Sequence, residues 1–267
     1  MNILALDFDG VLCDSSREVF VVAVDAYASR EPGSTLLERL LPLRDDALGG
    51  GDAFRSDALY ALFTGLLPLG NRAEDFGVSL KAVENHLEIA DQEQYDAYFG
   101  SISADWLKSF HREFYSARSR LREADTAAWL GLHLPYPGLA EVLRRHRGRT
   151  QPAVATAKDA RSVDLLLDHL GYGGVFDPEL ILDKETGVEK THHLKALQER
   201  TSVDFDRITF VDDKVNHLVK VAALGVRPVL AGWGFNTPRE HARACELGYA
   251  VATLNDAETI LFEGESD

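Results

Sequence analysis

The sequence predicts an α/β protein, in which a parallel sheet carries helices on both faces and an all-helical domain is inserted after the first strand. Two observations predict this architecture. From residue 139 onward, short apolar segments alternate with segments of helical periodicity, which is typical of parallel sheets. One further apolar segment, residues 2–7, is separated from these by a long stretch of purely helical pattern.

The first predicted strand is a continuous apolar run that ends in Asp7. Such a run is typical of a buried central strand whose carboxyl end meets solvent. A turn follows at residues 8–10. From residue 17 to residue 133, apolar and aromatic residues recur every three to four positions, which predicts a bundle of helices. The clearest predicted helices there cover residues 53–67, 79–90, 92–99 and 104–130.

After a Pro-Tyr-Pro-Gly sequence at residues 135–138, helices and strands alternate. The predicted helices cover residues 139–147, 160–170, 191–200, 216–224 and 239–247. The predicted strands cover residues 152–156, 180–182, 207–211, 228–231 and 250–254. We therefore predict a core of residues 1–16 and 134–267 and a helical domain of residues 17–133, with a frayed end at residues 263–267.

The charge balance excludes several classes of partner. The 267 residues include 28 Lys and Arg against 43 Asp and Glu, for a net charge of −15. This excess repels nucleic acid and anionic membranes, so we expect neither as a partner. The two cysteines match no metal-binding pattern, and the first apolar run has no basic residue before it. We expect a cytoplasmic protein.

Chemically active residues stand where the predicted strands end. Asp7 and Asp9 follow the first strand, Thr156 follows the strand at residues 152–156, and Asp212 and Asp213 follow the strand at residues 207–211. Because ligands bind outside the carboxyl ends of parallel strands, we expect these side chains to lie together. A lysine between Thr156 and Asp212 completes the set, with Lys184 and Lys190 as the candidates.

This set of residues favours phosphate chemistry. Several carboxylates repel one another unless a cation neutralises them, and Mg²⁺ prefers oxygen ligands. A cation, a lysine, a hydroxyl and backbone amides together suit the oxygens of a phosphoryl group. Asp7 is then a candidate nucleophile, and Asp9 is placed to act as general acid and base.

The motifs resemble those of the haloacid dehalogenase-like hydrolase superfamily. Residues 7–11, Asp-Phe-Asp-Gly-Val, resemble its first motif in the phosphatase form. Thr156, Lys190 and the pair Asp212-Asp213 resemble its second, third and fourth motifs. Residues 231–235, Ala-Gly-Trp-Gly-Phe, are similar to a segment of phosphoglycolate phosphatase-like members. The resemblance implies a Rossmann-like three-layer core, with the helical domain as a C1 cap.

The resemblance also implies Mg²⁺-dependent hydrolysis of a small phosphorylated metabolite, a phosphate monoester, through an aspartyl-phosphate. Asp7 would be the nucleophile and Asp9 the general acid and base. The remaining implied roles are substrate binding by Gly10, Thr156, Ala157 and Lys190, and Mg²⁺ binding by Asp7, Asp9, Asp212 and Asp213. Many members have Gly-Asp-Ser where this chain has Asp212-Asp213-Lys214, which leaves the direct metal ligand open between the two aspartates.

Two alternatives to a phosphatase stay open at this point. One is a phosphomutase of the same superfamily, and the other is a non-catalytic or phospho-accepting protein of the fold. A receiver domain carries its phosphate acceptor on a middle strand and has no helical insert, which argues against that form of the second alternative. A haloalkanoate dehalogenase would not need Asp9, so the presence of Asp9 argues against it. The sequence indicates neither the physiological substrate nor the oligomeric state.

Overall fold

The computed structural model describes residues 2–70 and 72–263, and the rest of the end predicted to fray, residues 264–267, lies outside the described residues. The chain divides into two compact units. One unit, the core unit, comprises Met1–Asp14 and Leu134–Asp267, and the other, the helical unit, comprises Ser15–His133. A cap function for the helical unit stays a prediction.

The core unit contains a six-stranded sheet in the order β5-β4-β1-β6-β7-β8, and each adjacent pair in it is parallel. This confirms the predicted α/β fold. A separate antiparallel pair, β2 and β3, was not predicted, because each strand has only two residues. The strands are β1 (Asn2–Leu6), β2 (Cys13–Asp14), β3 (Leu134–Pro135), β4 (Thr150–Ala155), β5 (Ile181–Leu182), β6 (Ile208–Asp212), β7 (Arg227–Ala231) and β8 (Ala250–Ala252).

Thirteen α-helices are found in the described part of the chain, seven of them in the helical unit. The helices are α1 (Ser16–Arg30), α2 (Leu37–Leu48), α3 (Ala58–Leu66), α4 (Ala73–Glu84), α5 (Gln92–Ser101), α6 (Ala104–Ala124), α7 (Thr126–Gly131), α8 (Leu139–His146), α9 (Ala160–His169), α10 (Lys190–Thr201), α11 (Val215–Ala222), α12 (Pro238–Glu246) and α13 (Ala257–Leu261). Of these, none is both long and apolar enough to cross a membrane.

The helical unit differs from the predicted helices in its boundaries. The single helix predicted over residues 104–130 is divided at Asp125, whose side chain accepts a hydrogen bond from the backbone N–H of Ala128 and so caps α7. Helix α4 begins six residues earlier than predicted, at Ala73, where Asp75 accepts a hydrogen bond from the N–H of Arg72. Helix α2 was missed because Pro42 lies inside it.

Strand β1 is central in the sheet and determines where the site lies. Leu6, its last residue, is in register with Val154 of β4 on one side and Val211 of β6 on the other. Four of the five side chains of β1 are buried, which accounts for its unbroken apolar sequence. Asp7, the next residue, donates its backbone N–H to the carbonyl of Val211 at 2.9 Å. The carboxyl ends of β4, β1 and β6 therefore form one edge.

Candidate active site

The carboxylate of Asp7 and the ammonium of Lys190 form a buried ion pair at this edge. Lys190 is the first residue of α10, and its Nζ lies 2.6 Å from Oδ1 of Asp7 and donates to the carbonyl of Ala155 at 2.7 Å. The side chains are only 7–8% exposed. Lys184, the other candidate lysine, is exposed on the loop after β5. The structure thus brings Lys190, and not Lys184, to Asp7.

Asp212 ends β6 and is surrounded by hydrogen-bond donors. Its Oδ1 accepts the backbone N–H of Lys214 at 2.9 Å, and Nδ1 of His217 lies 3.1 Å from Oδ1 and 3.0 Å from Oδ2. Nζ of Lys190 lies 3.8 Å from Oδ2. Both oxygens of this fully buried carboxylate are therefore engaged by the protein itself.

Asp213 is also buried, but one of its two carboxylate oxygens accepts no hydrogen bond from the described residues. Its Oδ2 accepts the N–H of Phe235 at 3.0 Å, whereas its Oδ1 is buried and accepts no hydrogen bond from the described residues. A buried carboxylate oxygen normally has a partner, so this one indicates a position for a ligand. The carbonyl of Asp213 accepts Nδ2 of Asn236 at 3.2 Å, which ties the residue to the loop after β7.

Two glycines allow the loops to approach Asp213. Gly10 has a left-handed conformation, with φ +81°, and a Cβ there would lie 2.5 Å from Oδ2 of Asp213. A Cβ on Gly234 would lie 2.3 Å from the carbonyl oxygen of Gly10 and 2.5 Å from Cβ of Asp213. All three distances are shorter than real Cβ contacts, so only glycine fits at either position.

Thr156 and Asp9 stand on either side of a second buried lysine. Thr156 follows β4, is buried, and accepts the backbone N–H of Lys158 on Oγ1 at 3.2 Å. Nζ of Lys158 lies 3.2 Å from Oδ1 of Asp9, whose side chain is 37% exposed. Ala157, which stands between Thr156 and Lys158 in the chain, is exposed.

Burial and neighbouring charges shift the pKa values of these groups. Burial raises the pKa of Asp7 to about 6, although the charge of Lys190 opposes the rise. Burial likewise raises the pKa of Asp213 well above its usual range, against the opposing charge of Lys214. Burial also acts to raise the pKa of Asp212, but His217 and Lys190 outweigh it and the pKa is lowered. Lys190 has a raised pKa because Asp7 and Asp212 outweigh its burial.

The donor set suits a hard divalent cation. Burial raises the pKa of both Asp7 and Asp213, and Oδ1 of Asp213 accepts no hydrogen bond from the described residues, so a cation beside these oxygens would stabilise the charged carboxylates. Ligand atoms of Asp7, Asp212 and His217 also lie within 4.8 Å of one another. This group includes an imidazole nitrogen, which Mg²⁺ disfavours relative to oxygen.

Two residues of this cluster, Lys158 and His217, were not predicted from the sequence to have a role. Lys158 stands two positions after Thr156, and His217 stands one turn after Asp213 at the start of α11. The feature of the sequence that could have indicated them as site residues is their position near the ends of predicted strands. A side chain's direction depends on tertiary packing, however, so this position alone does not distinguish them from solvent-facing neighbours.

Comparison with known proteins identifies the family. The model of the haloacid dehalogenase-like hydrolases matches residues 1–224, and the chain therefore belongs to this family of hydrolases. This confirms the family predicted from the motifs. No curated protein matches the sequence significantly.

Solved structures share the fold at low sequence identity. A haloacid dehalogenase-like hydrolase from Streptococcus pneumoniae is 13% identical with a TM-score of 0.65, and the match covers 98% of each chain. A predicted phosphoglycolate phosphatase from Haemophilus somnus is 16% identical with a TM-score of 0.60, and the match covers 97% of each chain. A predicted phosphatase from Clostridium acetobutylicum is 16% identical with a TM-score of 0.57 over 98% of each chain.

Proposed function

We propose that the protein is a Mg²⁺-dependent phosphatase that hydrolyses a small phosphate monoester through an aspartyl-phosphate on Asp7. The observation that carries the proposal is the ion pair between Asp7 and Lys190 at the end of the central strand. The lysine neutralises the attacking carboxylate and offers a cation to the phosphoryl oxygens. Asp9, two residues later at the same strand end, supplies the acid and base.

The proposed reaction has two steps. In the first, an oxygen of Asp7 bonds to phosphorus, the bond between phosphorus and the ester oxygen breaks, and Asp9 gives its proton to the departing alcohol. In the second, Asp9 takes a proton from water as the water oxygen bonds to phosphorus, and the bond between phosphorus and the oxygen of Asp7 breaks. Inorganic phosphate leaves, and Asp7 is restored as a carboxylate.

The chain's own groups hold the phosphoryl oxygens during both steps. Thr156 contributes its hydroxyl, Lys190 its ammonium and Ala157 its backbone amide, as donors to a group that gains charge in the transition state. The backbone N–H of Gly10 already donates to the carbonyl of Cys13 at 2.8 Å, so Gly10, expected from the motif to bind substrate, has no amide donor to offer. The position of the helical unit in the chain, between β2 and β3, supports its assignment as the C1 cap that selects the substrate.

Asp7, Asp213 and the backbone carbonyl of Asp9 would hold Mg²⁺, with Asp212 as a direct ligand or one acting through water. When bound, the cation supplies positive charge to the phosphoryl oxygens. This charge explains how a protein with a net charge of −15 would accept an anionic substrate. The unsatisfied Oδ1 of Asp213 supports the assignment.

The test is phosphate release from a panel of phosphorylated metabolites and from 4-nitrophenyl phosphate, with Mg²⁺ and with a chelator. We expect turnover that requires the metal and is lost in Asp7→Asn. Asp206→Asn, the same change at an exposed aspartate, serves as the control and should retain activity. In Asp9→Asn, the aspartyl-phosphate on Asp7 should accumulate, because the attack of water on phosphorus then lacks its base.

Other outcomes would replace the proposal. Turnover that depends on a bisphosphate activator and conserves the phosphoryl group would identify a phosphomutase. Phosphorylation of Asp7 without turnover would identify a phospho-accepting protein. Full metal-dependent activity of Asp7→Asn would exclude Asp7 as the nucleophile.

A further inference from the structure

We propose that Lys158 is the positioning residue for Asp9, holding the carboxylate of the general acid in the place from which it transfers its proton. The inference rests on the proposed function and adds to it a residue outside the four motifs. Its basis is the ion pair between Nζ of Lys158 and Oδ1 of Asp9, 3.2 Å apart.

Lys158 is itself held in a defined place. Its backbone N–H donates to Oγ1 of Thr156 at 3.2 Å, and its carbonyl accepts the N–H of Lys184 at 3.0 Å. The side chain is 5% exposed, and Nζ lies 5.8 Å from the centre of the Phe8 ring. A lysine so enclosed has few alternative rotamers, so it can serve as a fixed point for a partner.

Asp9 is more exposed than the other acidic residues of the site. Asp7, Asp212 and Asp213 are buried and each accepts at least one backbone N–H within the site. The side chain of Asp9 is 37% exposed, and its backbone forms an isolated β-bridge with Cys13. An ion pair to one oxygen restricts this side chain, while a carboxylate has a second oxygen on which a proton can reside. Misplacement by about 1 Å costs catalysis on the order of 100-fold.

The burial of this ammonium is better explained by function than by stability. A charge moved out of water loses several kcal/mol of hydration, and a hydrophobic residue of similar volume is often neutral or stabilising at such a place. Lys190 already neutralises Asp7 and contacts Asp212. The two lysines therefore serve different carboxylates, Lys190 the nucleophile and Lys158 the general acid.

The first arm of the test uses Lys158→Met, which keeps the length of the side chain and removes its charge. We would measure kcat/KM for a series of phosphate monoesters, from nitrophenyl esters to alkyl esters. A nitrophenolate departs without a proton, whereas an alkoxide needs one, so only the alkyl esters depend strongly on Asp9. We expect a loss on the order of 100-fold for alkyl esters and little loss for nitrophenyl esters.

Controls separate positioning from other roles. Lys195→Met makes the same change at an exposed lysine and should leave the whole series unchanged. The variant Asp9→Asn should show the same selective loss, and the double variant should lose little more than Asp9→Asn alone. An equal loss for every ester would overturn the proposal in favour of direct phosphoryl binding or general misfolding, and an unchanged series would overturn it outright.

A second arm does not depend on turnover. With the aspartate carboxyl carbons labelled with ¹³C, and the signal of Asp9 assigned by its absence in Asp9→Asn, Lys158→Met should shift that signal and Lys195→Met should not. An unmoved signal would show that the ion pair does not hold Asp9. If the unaltered protein hydrolyses no monoester, the proposed function fails, while this arm still decides whether Lys158 holds Asp9.

Discussion

Oδ1 of Asp7 and Nζ of Lys190 lie 2.6 Å apart, and neither group has more than marginal access to water. The carbonyl of Ala155 accepts a further hydrogen bond from the same ammonium at 2.7 Å. The pair thereby links the ends of β1 and β4 to the first turn of α10. The cation that would face a phosphoryl group is thus carried by the start of α10 and held by contacts at the ends of β1 and β4.

Removing this cation should abolish most activity. We expect Lys190→Met to lower kcat on the order of 10² to 10³-fold, since one charged donor to the transition state is lost and Asp7 is left without its counter-charge. Lys184→Met is the matched control, because it makes the same change at an exposed lysine. Steady-state phosphate release measures both. A larger loss in Lys184→Met than in Lys190→Met would reverse the assignment.

The two neighbouring aspartates should differ in their effect on metal binding. Asp213 has a buried oxygen without a hydrogen bond, whereas both oxygens of Asp212 already contact donors. We expect Asp212→Asn to weaken Mg²⁺ binding about 10- to 100-fold, as loss of a supporting group does, and Asp213→Asn to weaken it further. Isothermal titration with Mg²⁺ measures both affinities. If Asp212→Asn has the larger effect, Asp212 is the direct ligand.

Much of the site could be predicted from the sequence because parallel strands end at a common edge. Asp7, Thr156 and Asp212 each follow or end an apolar run, and the sheet places β4, β1 and β6 side by side. The choice between Lys190 and Lys184 could not be made in this way, since both lie near the start of one helix and only packing decides which side chain turns inward. The same holds for His217, whose contact with Asp212 depends on the orientation of α11.

The fold could be predicted to a similar extent, and each element or boundary that was not predicted has a local cause. Apolar periodicity identifies long helices and central strands, but it carries no signal for two-residue strands such as β2 and β3. Helix α2 was not predicted because it contains Pro42, and proline usually ends a helix. Asp125 ends one helix and caps the next, and a continuous apolar pattern across it conceals the break.

Gly10→Ala should damage both stability and metal binding. A Cβ at this left-handed position costs about 1–2 kcal/mol of backbone strain and would lie 2.5 Å from Oδ2 of Asp213. Gly138→Ala is the matched control, with φ +78° and nothing within 4 Å of its Cβ. Denaturant unfolding and Mg²⁺ titration of both variants separate strain from clash. Both should lose stability, but only Gly10→Ala should lose Mg²⁺ affinity; equal affinities would show that the loop yields to the methyl group.

The stability of the metal-free protein should fall as the pH rises from about 4 to above 6. Burial raises the pKa of Asp7 from 3.8 to about 6 in the folded chain, so between these values the folded state holds a proton that the unfolded state has lost. The resulting contribution, about 3 kcal/mol, is fully present below the lower value and is lost as the pH passes the upper one. Urea unfolding in a chelator at successive pH values measures it. Asp7→Asn should reduce the slope by about one proton, and saturating Mg²⁺ should reverse the fall, because the cation stabilises the ionised carboxylate. A slope that Asp7→Asn leaves unchanged would assign the titration to another group, such as Asp213.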